Sequence, residues 1–169
     1  MTWAQGKPPR VSLGADQLQR WIGSCNEAGK HEHVILVQDG FIDERGQILN
    51  ILSGIDVNHI AVISSKAGTI RGNHWHPRLG QLMYLIAGSY VSFSRPMGGS
   101  PADIKEEVVS PGEMTYCPPN VTHGYFFTAD SVFLNIGWDG RESGRYEEHT
   151  RPDVVMQKLE KGEGKGEGV

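Results

Sequence analysis

The stretch Arg71-Gly-Asn-His-Trp-His-Pro-Arg-Leu-Gly-Gln81 sets His74 and His76 two positions apart and places Gln81 five positions beyond the second histidine. In a strand, residues i and i+2 project from one face, so this pair presents two imidazoles side by side. Two imidazoles on an inner face are costly to bury without partners. A metal ion would satisfy both, taking one ring nitrogen from each while neighbouring groups hold the other. The spacing alone is a weak signal, since His31 and His33 repeat it in a polar segment that reads as surface.

Around this stretch the texture is that of short strands. "VILVQ" (34–38), "HIAVIS" (59–64), "QLMYLIAGSYVSFS" (81–94), "EEVVS" (106–110), "EMTYC" (113–117), "HGYFF" (123–127) and "SVFLNIGW" (131–138) are β-branched or aromatic runs. They are separated by turn residues at Asp39-Gly40, Gly54, Gly72-Asn73, Met97–Pro101, Pro111-Gly112 and Pro118-Pro119-Asn120. Many short strands at near-regular spacing predict an all-β sandwich or barrel. Val132, Leu134, Ile136 and Trp138 alternate, which points them toward its core.

The ends read differently. Leu18, Trp21, Ile22 and Cys25 follow a helical period, with Asp16 to cap the helix and Gly29 to end it. From Gln157 onward the Lys/Glu/Gly sequence has almost nothing to bury and reads as a flexible tail. The chain therefore divides into an N-terminal arm with a short helix (1–32), a barrel (33–156) and a tail (157–169).

With 169 residues, one domain with a substantial core is expected. A 38% hydrophobic and 21% charged composition suits a globular protein. No apolar run approaches a membrane span and the first residues lack the apolar core of a signal peptide, so the expectation is a cytoplasmic protein with no membrane partner. A net charge of −4 without a basic block argues against nucleic acid, yet a few arginines suffice for a phosphorylated ligand. Cys25 and Cys117 match neither a zinc pair nor a disulfide framework and read as reduced packing residues.

Two motifs give the histidines a frame. Gly68, His74, His76, Gln81 and Gly88, at intervals of six, two, five and seven positions, resemble the first motif of the cupin superfamily, with Gln81 where glutamate is usual. Gly112, Pro118, Asn120 and His123 resemble the second, with Asn120 where glycine is usual and Phe127 where asparagine is expected. Asparagine is the next-best residue after glycine for a left-handed turn. The resemblance implies a double-stranded β-helix, the cupin jelly roll, with His74, His76, Gln81 and His123 facing inward as the four metal-ligand positions. Glutamine is a neutral oxygen donor, so such a site would carry no ligand charge. Zinc, iron, manganese or nickel and a metal-free centre are both open.

"DERG" (43–46) followed by "QILNI" (47–51), and then "RGNH" (71–74), resemble blocks of cupins that act on nucleotide-linked keto-sugars. That group holds the 3,5-epimerases, the 3,4-ketoisomerases and a cupin domain of capsular-polysaccharide proteins. The resemblance implies His74 and His76 as proton-transfer groups, Arg45 and Arg71 as ligand-binding residues, and a homodimer. Neutral histidine suits removal of a proton beside a ketone. The sequence departs from the ketoisomerase pattern in "NHIAVISSKAG" (58–68), which lacks the expected tyrosine and has Lys66 near the arginine position. Tyr84, Tyr116 or Tyr125 could replace that acid, and Tyr84 and Tyr125 are taken as substrate-binding candidates. His59 and the polar segment 137–152 read as a strand end and a solvated exit from the barrel. Three functions follow: a keto-sugar epimerase or isomerase, a metal-centred cupin acting on another small molecule, and a non-catalytic sugar-binding module.

Overall fold

Short β-branched and aromatic runs punctuated by glycine, proline and asparagine favour antiparallel strands joined by tight turns. The computed structural model describes residues 34–36, 40–52, 57–138 and 149–157. The expected N-terminal helix, the His31/His33 pair, Cys25, most of the segment 137–152 and nearly all of the tail lie outside them. The described residues form twelve strands: β1 (Val34–Leu36), β2 (Gly40–Asp43), β3 (Gly46–Leu49), β4 (His59–Ser65), β5 (Ile70–Trp75), β6 (Gly80–Ala87), β7 (Tyr90–Pro96), β8 (Lys105–Val109), β9 (Glu113–Cys117), β10 (Val121–Phe127), β11 (Ser131–Trp138) and β12 (Arg151–Pro152). Among the described residues no helix is long and apolar enough to cross a membrane.

One sheet has the order β1-β9-β6-β11-β4, the other β12-β5-β10-β7-β8, and β2 pairs with β3 in a separate hairpin. This is the antiparallel jelly roll that the two motifs predict. The run 81–94 reads as one apolar stretch, but the chain changes sheets within it, passing from β6 to β7 through Gly88 at φ +96. A side chain there would meet the Ser131 Cα at 2.6 Å, so the corner needs glycine.

Two apolar layers result. Between the sheets, Met83, Leu85 and Phe133 pack against Tyr90, Val109, Tyr125 and Phe127. On the other face of the first sheet, Leu82, Met114, Tyr116 and Ile136 lie under Leu49, Ile51, Leu52 and Val57. The alternation along β11 is as expected, but its assignment is the reverse. Phe133 enters the barrel, whereas Leu134, Ile136 and Trp138 join the outer layer and Val132 is partly exposed. A sheet buried on both faces offers two apolar sides, and strand alternation cannot say which is inner.

The strand through the histidines is irregular. His123 of β10 pairs with His74, but the next residue, Gly124, pairs with Gly72, leaving Asn73 as an extra residue in β5. Gly72 at φ +85 and Asn73 at φ +58 form this bulge. In an unbroken strand Arg71 and His74 would face opposite sides. Here Arg71 stands opposite Tyr125 and His74 opposite His123, so all four share the barrel-facing side.

The bulge also anchors the C-terminal segment. The Asn73 Oδ1 accepts the backbone N–H groups of Val155 and Met156, each at 3.1 Å, and its Nδ2 donates to the Met156 carbonyl at 3.0 Å. Asp153 accepts from Arg95 at 2.6 Å and from the Thr122 hydroxyl at 2.5 Å. Val155, buried, covers Gly124 on the outer face of the second sheet.

Gly72→Ala is expected to be costly for two reasons: its φ is positive, and a Cβ would lie 2.7 Å from the His123 carbonyl oxygen and 2.9 Å from the Gly124 Cα. Urea unfolding should show a loss of about 2–3 kcal/mol. Gly112→Ala, at φ +88 but with open space around it, should lose only about 1 kcal/mol.

Candidate functional site

The bulge in β5 and the straight run of β10 bring three imidazoles together inside one end of the barrel. Ring centroids of His74 and His76 lie 4.7 Å apart, those of His74 and His123 also 4.7 Å, and those of His76 and His123 5.3 Å. One ring nitrogen from each falls within 4.8 Å of the others. His76 is 1% and His123 2% exposed, and His74 is half-buried.

Backbone carbonyls orient two of these rings. The His76 Nδ1 lies 2.8 Å from the His149 carbonyl oxygen, and the His123 Nδ1 lies 3.2 Å from that of Val121. A carbonyl only accepts, so each Nδ1 carries a proton, and when the ring is neutral its lone pair is on Nε2. The Nε2 of His123 is buried with no hydrogen-bond partner among the described residues. Burial holds the His123 pKa well below its ordinary 6.5, and the neighbouring His74 and His76 push it the same way. The ring is therefore a neutral lone-pair donor.

Cys117, read from sequence as plain packing, touches this ring, with its Sγ 2.7 Å from the His123 Nδ1. Burial raises the thiol pKa, so it stays protonated. Gln81, 4% exposed, is the ladder partner of Cys117 and shares its barrel-facing side, which puts its carboxamide at the histidine end. Tyr125 stacks obliquely 5.5 Å from His123, and burial pushes its pKa well above 10.0. It is a neutral phenol beside the cluster.

Not every candidate joins the cluster. Arg71 opens on the rim, where its Nε donates to the Ser65 Oγ at 2.5 Å and its Nη2 to the Ser64 carbonyl at 2.9 Å, tying β5 to β4. Tyr84 packs in the outer layer on the face of β6 that points away from the histidines. Tyr116 lies in the same outer layer. Two-residue alternation separates both from Gln81 and Cys117. Arg45 sits in the exposed turn of the β2–β3 hairpin, where its Nε donates to Asp43 at 2.9 Å. Within this chain the structure brings together His74, His76, His123 and Tyr125, with Gln81 on the same inner face and Arg71 at the edge, and leaves Tyr84 and Arg45 outside.

The three nitrogens suit a transition metal: they converge, His76 and His123 are buried, and both of those rings are backed by carbonyl acceptors. A neutral glutamine in place of a carboxylate would make such a site less tight than a charged one.

No family model and no curated protein matches the sequence. Solved structures do match the fold. The dTDP-4-dehydrorhamnose 3,5-epimerase of Sulfolobus tokodaii superposes with a TM-score of 0.59 at 20% identity, over 70% of this chain and 74% of that one. The QdtA 3,4-ketoisomerase of Thermoanaerobacterium thermosaccharolyticum, in complex with TDP, gives 0.57 at 22% identity, over 73% and 90%. The capsular polysaccharide assembling protein CapF of Staphylococcus aureus gives 0.51 at 24%, over 69% of this chain but 32% of that longer one. The chain thus has the cupin fold. Its structural neighbours include proteins named as sugar-nucleotide epimerases and ketoisomerases.

A group whose folded pKa is depressed binds fewer protons folded than unfolded, so acid favours unfolding. For His123 the contribution is fully present above its ordinary 6.5 and is lost as pH falls below that value. Thermal melts of the wild type should show Tm falling from pH 7 to pH 5. His123→Gln should fall less over the same range, and equal slopes would show that His123 is not kept neutral by the fold.

Proposed function

We propose that this protein is a cupin enzyme that moves a proton on the sugar of a nucleotide-linked keto-sugar. The observation that carries the reading is the cluster itself: three convergent, largely buried imidazoles at the end of a barrel, two of them fixed in one tautomer by backbone carbonyls. The kinship in fold with epimerases and ketoisomerases, one of them solved with TDP-4-keto-6-deoxyglucose, supports the choice of ligand.

In this reading one imidazole, His74 or His76, takes the proton from the carbon next to the sugar ketone. The electron pair moves into an enediolate whose oxygen needs a hydrogen-bond donor. Tyr125, a neutral phenol whose ring lies 5.5 Å from that of His123, would assist. Return of the proton to the former carbonyl carbon, with the hydroxyl proton passing from the neighbouring oxygen to the former carbonyl oxygen, shifts the ketone, and return to the first carbon on the opposite face inverts the centre. Burial serves this chemistry, because a neutral imidazole in a dry site is a base at neutral pH without first losing a proton to water. Arg71 at the rim supplies positive charge where the phosphates would leave the barrel. A homodimer, in which a second copy completes the rim, belongs to the same proposal.

A second reading is favoured by the mutual approach of the three nitrogens within 4.8 Å. His74, His76 and His123, with Gln81 beside them, would hold a divalent transition metal, which when bound would polarise a carbonyl or an enediolate oxygen.

Two measurements separate these readings. Incubated in deuterated water with a dTDP-4-keto-sugar, the wild type should incorporate solvent deuterium at carbon. His76→Asn should slow this by about 10²–10⁴-fold. No incorporation by the wild type across several such sugars would sink the keto-sugar reading. Elemental analysis of protein purified without added metal or a histidine tag then decides the centre. Near-stoichiometric metal, lost in His123→Gln, establishes the metal reading. Exchange activity in a metal-free sample establishes the imidazoles as the acid and base.

A further inference from the structure

Asn135 lies on β11 between Phe133 and Gly137, and no motif marks it. Phe133 enters the barrel, so period two puts Asn135 on the same inner wall. Its ladder partners are Ala61 of β4 and Met83 of β6, and Met83 packs in the inner layer with Tyr125. Asn135 thus stands where the aromatic interior gives way to the histidine end, on the wall that also carries Gln81 and across the barrel from His74 and His123.

The residue is 4% exposed, and its Oδ1 is buried with no hydrogen-bond partner among the described residues. A buried carbonyl oxygen left unpaired is unfavourable, and leucine would fill nearly the same volume without that cost. The orphan oxygen is therefore explained by something that enters the barrel and donates to it.

We infer that Asn135 is a ligand-contact and specificity residue, its carboxamide oxygen accepting a hydrogen bond from a hydroxyl of the sugar. The inference rests on the keto-sugar reading and adds an orientation to it. An acceptor oxygen cannot pair with a phosphate or a carboxylate, which are themselves acceptors at neutral pH. With Oδ1 held as the buried atom, the group at this depth is a donor, and a neutral hydroxylated ring is one. The sugar consequently lies innermost, between Asn135 and the imidazoles, and the diphosphate points outward toward Arg71.

Titration calorimetry with dTDP and with dTDP-glucose tests this. The wild type should bind dTDP-glucose more tightly than dTDP. Asn135→Leu should lose about tenfold or more in affinity for dTDP-glucose and leave dTDP unchanged. Its Tm should equal or exceed that of the wild type, since an unpaired buried group is gone. Asn135→Ala, which removes the oxygen without adding bulk, should give the same selective loss and stands in if the leucine variant does not fold. An unchanged preference for dTDP-glucose in the variants overturns the role of Asn135 and leaves the keto-sugar reading standing. A wild type that binds neither compound overturns that reading and this inference with it.

Discussion

One inserted residue organises the functional end of this barrel. Without the left-handed Gly72-Asn73 pair in β5, His74 and Arg71 could not both face the side of the sheet that carries His123 and Tyr125. The bulge costs a regular ladder step and demands residues that tolerate positive φ. Glycine is required at the first position by the close approach of the His123 carbonyl. Asparagine serves at the second because its side chain then reaches out of the other face and gathers the C-terminal segment. Backbone strain, ring placement and docking of residues 153–156 are thus one feature seen from three sides.

The cluster it creates is electrically unusual for so much polarity. Three imidazoles in contact cannot all be charged, and burial keeps His123 neutral. The carbonyls of His149 and Val121 fix where the remaining protons sit, while the thiol of Cys117 presses on the same ring nitrogen of His123. A cluster of convergent imidazole nitrogens serves a base and a soft cation equally well, which is why the two functional readings share their residues.

Much of this was legible from sequence, and the failures are instructive. The H-x-H pair and its spacing to Gln81, His123 and the turn glycines locate the inner face, and Asn120 does adopt the left-handed turn at φ +62. Tyr84 and Arg45, two of the substrate-binding candidates, lie apart from the histidine cluster for different reasons. Tyr84 lies one residue from an inward position, and in a strand that is enough to put it on the far face. Arg45 belongs to a short hairpin whose place relative to the histidines no local pattern encodes. The sequence also hid Asn135, Cys117 and the carbonyl of His149. A lone asparagine or cysteine in a strand carries no spacing signal, and a backbone oxygen carries no residue type at all.

The ties from the C-terminal segment to the histidine strand span long distances along the chain. His149 and Asp153 follow the histidine pair by more than 70 positions, yet the carbonyl of His149 fixes the His76 ring and the backbone N–H of Asp153 closes on the Asn73 carbonyl at 3.0 Å. The segment from His149 to Met156 is therefore part of the wall behind the imidazoles. The centre takes its final shape only once residues 149–156 are in place, and a chain cut short before His149 would lack the brace that aims the His76 ring.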